Sequence, residues 1–240
     1  MGEMERNTFD IDNHTVHCAK TGARMPIRKC AVCGEESAQG SFSVPGPGGP
    51  PDLDTRPAGE IRATLERWIE VCTGCGLAVP EIEAPVQGVD ELVRSSEFPR
   101  GEHPFRRQSW LLDQLGQHAD AGWSELYLAW HFDDSGAPEN ASAARREAIT
   151  CWQHGKSHGQ SFCDSMAEEF ALVTDVCRRA GLFDEAKETC LAGLELDDLP
   201  QIVEDILRYQ LGLIQVKDTG AHSIAELPSA PEGGVRVTLN

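Results

Sequence analysis

The sequence contains no run approaching the ~20 apolar residues that a membrane-spanning helix needs. Its opening residues, MGEMERNTFDID, are polar and mixed in charge, without the apolar core of a secretion signal. A cytoplasmic location is the expectation from those two absences. The chain is also short of positive charge, with 21 Lys and Arg against 39 Asp and Glu and a formal net charge of −18. Most of the deficit falls over residues 101–240, with 11 basic and 23 acidic residues, and Arg24, Arg28 and Lys29 form only a short basic cluster. Nucleic-acid affinity comes largely from Lys and Arg displacing counterions from phosphates, so DNA, RNA and anionic membranes are disfavoured as partners. No GxSxG, Walker A, GxGxxG or protein-kinase signature is present. No catalytic constellation emerges, and the reading leans against an enzyme.

Cysteine is present in an odd number, nine, which argues against a disulfide framework. Four of the nine fall into two units of one form, Cys30-Ala-Val-Cys33-Gly34 and Cys72-Thr-Gly-Cys75-Gly76. Two residues between thiols let the backbone turn so that both sulfurs face one centre. A glycine after the second Cys suits the positive φ that ends such a knuckle. Two knuckles supply four thiolates, the closed donor set of a structural zinc site, so Cys30, Cys33, Cys72 and Cys75 are the expected metal ligands. The same donor set resembles rubredoxin, in which iron transfers one electron. Phe42 and Trp68 are the only aromatic candidates near the knuckles in sequence, which favours zinc over iron.

The 38 residues between Cys33 and Cys72 exceed a minimal ribbon loop. Four prolines and three glycines within Val44–Pro51 exclude a regular element there. Asp52, Asp54 and Arg56 read either as a polar site beside the ribbon or as a rigid turn. A strand is expected from about Leu65 into Cys72.

Two further groups invite a metal. His14, His17 and Cys18 form an HxxHC cluster, read in preference as a surface strand or tail because the thiolate site already has four ligands. His154 and His158 are spaced i,i+4, but Gly155 and Gly159 argue against a continuous helix. The favoured reading is a helix ending near His154, followed by a polar loop. A metal-dependent enzyme using His154 and His158 stays as an alternative.

From about His103 the apolar residues recur at helical spacing. Helices are expected over Ser109–His118 and Trp123–Phe132, from Pro138 to about Cys151, and over Ile202–Val216. Ala167–Asp198 reads as a helix pair, with Gly181 closing the first helix and small residues at 186 and 193 permitting close approach. The run Gly181-x-Phe-x-Glu-Ala186, followed by Gly193-Leu-Glu-Leu, resembles the second half of a tetratricopeptide repeat. An irregular helical bundle fits the same pattern.

The order of these parts resembles bacterial proteins of unknown function in which a split CxxC/CxxCG zinc ribbon precedes tetratricopeptide-like helices. The resemblance implies a structural metal and no particular activity. The fold expected is therefore α+β: a small β zinc ribbon followed by an all-α domain, tetratricopeptide-like or an irregular bundle. Its parts are an N-terminal extension over 1–25, the ribbon with its insert over 26–84, the helical domain over 100–220 and a tail over 221–240. The function expected is that of a cytosolic interaction or adaptor protein with a protein partner.

Overall fold

The computed structural model describes residues 15–17, 24–40 and 48–228. The fold is mixed, with two small antiparallel sheets in the first third of the chain and helices thereafter. It divides into two units. Among the described residues, the first draws on the chain before residue 44 and on 66–115; the second draws on 44–65 and on the chain from 116 onward.

In the first unit, β1 (Thr15–His17), β2 (Arg24–Lys29) and β3 (Glu36–Ala38) form an antiparallel sheet in that order. The β2–β3 register pairs Lys29 with Glu36 and Ile27 with Ala38, so the first knuckle closes this hairpin. A second hairpin, β4 (Glu70–Val71) against β5 (Ala78–Val79), carries the second knuckle. The strand expected from Leu65 is shorter than the sequence suggests, because Leu65–Arg67 winds into a 3-10 turn and extended backbone begins only at Glu70. Gln39 joins the hairpins by acting as a short piece of strand. Its side-chain amide donates to the Val71 carbonyl at 2.9 Å, and its carbonyl oxygen accepts from the Val71 N–H at 3.1 Å.

Two helices complete this unit, α2 (Val89–Arg94) and α3 (Pro104–Gln114). Pro104 opens α3 where its missing N–H costs nothing, after His103, whose ring accepts from the Phe105 N–H. Val89, Val93, Phe98 and Leu111 pack with Leu77 and Ile82 against the buried Cys30 and Cys72. Helices α2 and α3 thus supply three of the eight buried residues of the ribbon's apolar core.

The second unit contains α1 (Gly59–Arg62), α4 (His118–Asp134), α5 (Pro138–Ser157), α6 (Met166–Arg179), α7 (Phe183–Leu194) and α8 (Gln201–Gln215). Helix α4 packs on α5, α5 on α6, α6 on α7, and α8 on both α6 and α7. Ser165 starts α6 with a capping box: its hydroxyl accepts from the Glu168 N–H while the Glu168 carboxylate accepts from the Ser165 N–H. At Gly193 a Cβ would stand 2.8 Å from the Phe170 Cβ and 3.0 Å from Leu207 Cδ1, so the absent side chain sets how closely α7 approaches α6 and α8.

The segment 51–57 is irregular in backbone yet deeply buried at Pro51, Leu53, Asp54, Arg56 and Pro57. It belongs to the helical unit, where Asp52 bridges to Ser223 and Asp54 enters an ion network. Asp54 is fully buried and accepts from the Trp130 indole N–H at 2.9 Å and from Arg179, with Arg145 at 3.6 Å. Asp133 accepts from Arg145 and Arg179, each at 2.6 Å, and Arg56 donates to the Trp130 carbonyl at 3.0 Å. Asp54 and Arg56 are therefore parts of a buried clamp on α4, α5 and α6, and the half-buried Asp52 lies next to them in the chain, 3.9 Å from Arg62.

The setting of Asp52 disfavours its charge. Burial and the neighbouring Asp54 charge push its carboxyl up to about 6. A carboxyl whose folded pKa lies above its unfolded value of about 3.9 binds its proton more tightly when folded, so its contribution declines as pH rises from about 4 to 6. Asp52→Asn, which stays neutral, should raise the melting temperature at pH 7.5 by about 2–4 °C, the response to ~1 kcal/mol in a chain of this size after discounting for solvent screening. The advantage should vanish by pH 4. A variant equally stabilised at both pH values would refute the electrostatic account.

Candidate metal centre

The two knuckles have the same backbone wiring. The Cys30 N–H donates to the Glu35 carbonyl and the Cys72 N–H to the Leu77 carbonyl, both at 2.9 Å. The Gly34 N–H returns to the Cys30 carbonyl at 2.9 Å, and the Gly76 N–H to the Cys72 carbonyl at 3.0 Å. The two glycines have φ of +76° and +81°, the left-handed conformation that the turn demands and that other residues rarely adopt. Repetition of this turn at two places 42 positions apart is what makes the sulfurs converge.

Converge they do. The Sγ atoms of Cys30, Cys33, Cys72 and Cys75 all lie within 4.8 Å of one another. Cys30 and Cys75 are separated by 3.8 Å, Cys33 and Cys72 by 3.4 Å. Four sulfurs placed tetrahedrally at about 2.3 Å from a cation stand about 3.8 Å apart, whereas a disulfide needs about 2.05 Å. The set fits a metal and does not fit two disulfides. At Gly74 a Cβ would meet Glu35 Cβ at 3.0 Å and Cys33 Sγ at 3.4 Å, so the second knuckle keeps that position bare where the first one leans on it.

Burial and the three neighbouring thiols push the Cys75 thiol far up, while the Leu77 N–H pulls it down. Four clustered thiols cannot ionise together without a compensating cation, which is the electrostatic case for metal binding here. Behind the second knuckle, the buried Arg107 guanidinium donates to the Gly76 carbonyl at 2.8 Å and adds a fixed positive charge. The first knuckle is tied down from the other hairpin. Ala31 N–H donates to the Ile82 carbonyl at 2.8 Å, and Arg28 pairs with Glu83 at 2.7 Å.

Of the other candidates, His14 and Cys18 lie outside the described residues, and for His17 only the strand backbone of β1 is described. The loop expected after His154 is instead helix, since α5 continues through Gly155 to Ser157. Gly155 is tolerated because a Cβ there would press on the Ala119 N–H at 3.3 Å and on His118 Cβ at 3.5 Å; the glycine is where α5 touches the start of α4. This contact brings a third imidazole, His118, to His154 and His158. Sequence reasoning missed His118 because it lies 36 positions before His154, and only the α4–α5 packing relates them.

Cys177 and Cys190 are buried among helices, as their apolar neighbours in sequence suggest, and burial pushes both thiols up, to about 12 and about 11. No helix among the described residues is long and apolar enough to cross a membrane. No protein-family model, curated protein or solved structure matches this chain.

Proposed function

We propose that the four-cysteine cluster is a split zinc ribbon with a purely structural cation, and that the helical unit is a tetratricopeptide-like scaffold which binds a protein partner in the cytoplasm. The convergence of four sulfurs at tetrahedral spacing carries the first half of this reading. A bound divalent ion would serve as a cross-link between the two hairpins, whose knuckles meet in one small apolar core. The helix pairs α4–α5 and α6–α7, closely packed through small residues such as Ala186 and Gly193, support the second half.

A rubredoxin-like iron centre is the second reading, and one observation favours it. Phe98 and Trp110 meet edge to face at 5.8 Å and pack in the same core as Cys30 and Cys72. The aromatic company that sequence order placed only at Phe42 and Trp68 is thus supplied by α3 and the turn before it. Metal analysis of the full chain, purified without added metal, distinguishes the two. Zinc with no visible absorption supports the structural reading, and a red protein with iron replaces it by electron transfer.

A further inference from the structure

We propose that His118, His154 and His158 form a second metal site, separate from the cysteines, which takes a first-row divalent cation such as zinc on three imidazoles and leaves one coordination position to solvent. One ring nitrogen from each residue lies within 4.8 Å of its counterparts on the other two. The ring centroids are 4.1 Å apart for His118 and His154, and 4.9 Å apart for each of the other two pairs. Three nitrogens at the usual zinc distance of about 2.0–2.1 Å would stand about 3.4 Å apart. The His118 and His154 rings are stacked at 30°, so ligation requires the exposed His154 to turn out of that stack and His158 to turn with it, while His118 keeps its buried position.

The surroundings hold the cluster in place. Gln160 clamps the start of α4 to the end of α5: its side-chain oxygen accepts from the Ala119 N–H at 2.9 Å and its amide donates to the Gly116 carbonyl at 2.6 Å. The Trp152 indole donates to the Ala119 carbonyl at 3.2 Å. The His118 backbone is thus pinned against α5 on both sides. His158 is held as well. Its Nδ1 is 2.9 Å from the His154 carbonyl oxygen, which can only accept, and 3.1 Å from the Ser157 hydroxyl; the tautomer with its proton on Nδ1 satisfies that carbonyl and turns Nε2 to a metal. An imidazole held by such an outer hydrogen bond is the usual form of a metal-bound histidine.

The electrostatics are permissive. His154 lies in the last turn of α5 and His158 is its C-cap, where the unpaired carbonyls of a helix favour a cation. The nearby Lys156 ammonium is paired with Glu169 at 2.5 Å, which offsets its repulsion of a second positive ion. Imidazole donors suit zinc, copper, nickel and cobalt ions and are poor ligands for magnesium or calcium. Three protein ligands with an open fourth place are the arrangement in which zinc holds a water or a donor from another molecule, so the site differs in kind from the closed thiolate set.

Titration of the full chain with cobalt(II) tests the proposal. The expected result is two equivalents per chain. One gives thiolate-to-cobalt charge transfer, and the other gives only weak visible bands together with paramagnetic broadening of the His118 imidazole signals. His154→Ala/His158→Ala, altering two exposed side chains, should abolish that broadening and weaken the second equivalent by at least tenfold, roughly the scale at which changes even outside the ligand shell act. The charge-transfer equivalent should stay. Identical titrations for the wild type and the double variant, with no broadening at His118, would overturn the site whatever the thiolate cluster does.

Discussion

Cys72→Ser should release the metal and unfold the first unit, costing at least about 5 kcal/mol of stability. The magnitude follows from the size of the core against the strength of the cross-link. Structural zinc contributes about 10–16 kcal/mol apparent at pH 7 in peptide systems, while a core this small rarely supplies more than about 3–5 kcal/mol on its own. Cys72 is 1% exposed, so a serine left there faces apolar neighbours with one ligand missing. Trp68 and Trp110 report on the first unit, and α4–α8 of the second unit carry most of the helical signal. The variant should therefore lose its metal and shift its tryptophan emission while keeping most of its far-ultraviolet ellipticity. Cys163→Ser, outside the cluster, should leave metal content unchanged. If Cys72→Ser retains a full equivalent of metal and an unshifted melting curve, the metal is not what holds this unit together.

The second large effect belongs to Asp54. Asp54→Ala should destabilise the helical unit by about 3–5 kcal/mol, because it leaves Asp133 as the remaining carboxylate against both Arg145 and Arg179 and takes the acceptor from the buried Trp130 indole. In a chain of this size that is a fall in melting temperature of about 10 °C. Asp134→Ala is the contrast. Its side chain is 42% exposed, its partner Arg62 lies at the surface, and the buried Arg56 that it also pairs with keeps Asp133 and the Trp130 carbonyl, so its removal should cost about 1–2 kcal/mol. Acid titration gives an independent reading. Burial pushes the Asp54 carboxyl up, but Arg179, Arg145, the Trp130 indole and Arg56 outweigh it and hold the group below its ordinary value. A carboxyl depressed in this way stabilises the fold above its unfolded pKa of about 3.9, and that support disappears as pH falls through the lower folded value. Wild type should accordingly lose stability below pH 4 more steeply than Asp54→Asn. Equal costs for Asp54→Ala and Asp134→Ala would show the buried network to be dispensable.

The knuckles were legible in the sequence because their geometry is local. Cys-x-x-Cys-Gly fixes a turn, a donor pair and a positive φ within five residues, and no distant partner is needed to recognise it. Helices α5, α6, α7 and α8 were legible for a related reason, with Pro138 opening one and Gly181 closing another. The rest depended on neighbours that sequence order hides. Gly155 breaks a helix by propensity alone, at a cost of about 1 kcal/mol against alanine, but α4 approaches so closely there that a Cβ would stand only 3.3 Å from the Ala119 nitrogen. Asp54 and Arg56 read equally as a polar site beside the ribbon or a rigid turn, since the partners that make them buried ions are Trp130, Asp133, Arg145 and Arg179, more than seventy positions away. Periodicity likewise shows that α3 has an apolar face but not that this face would complete the core behind Cys30 and Cys72.

The interleaving of the two units bears on how the polypeptide can be divided. Residues 44–65 separate the knuckles in sequence, yet fold with elements that are synthesised later, among them Trp130, Arg179 and Ser223. A single scission at any point leaves one fragment without something it needs: a fragment ending near 115 keeps all four sulfurs but leaves its middle stretch with no surface to lie against. During translation that stretch must wait for the last helices to emerge, while both cysteine pairs are already outside the ribosome. A cation captured by the four cysteines at that stage would tether the waiting segment at both ends.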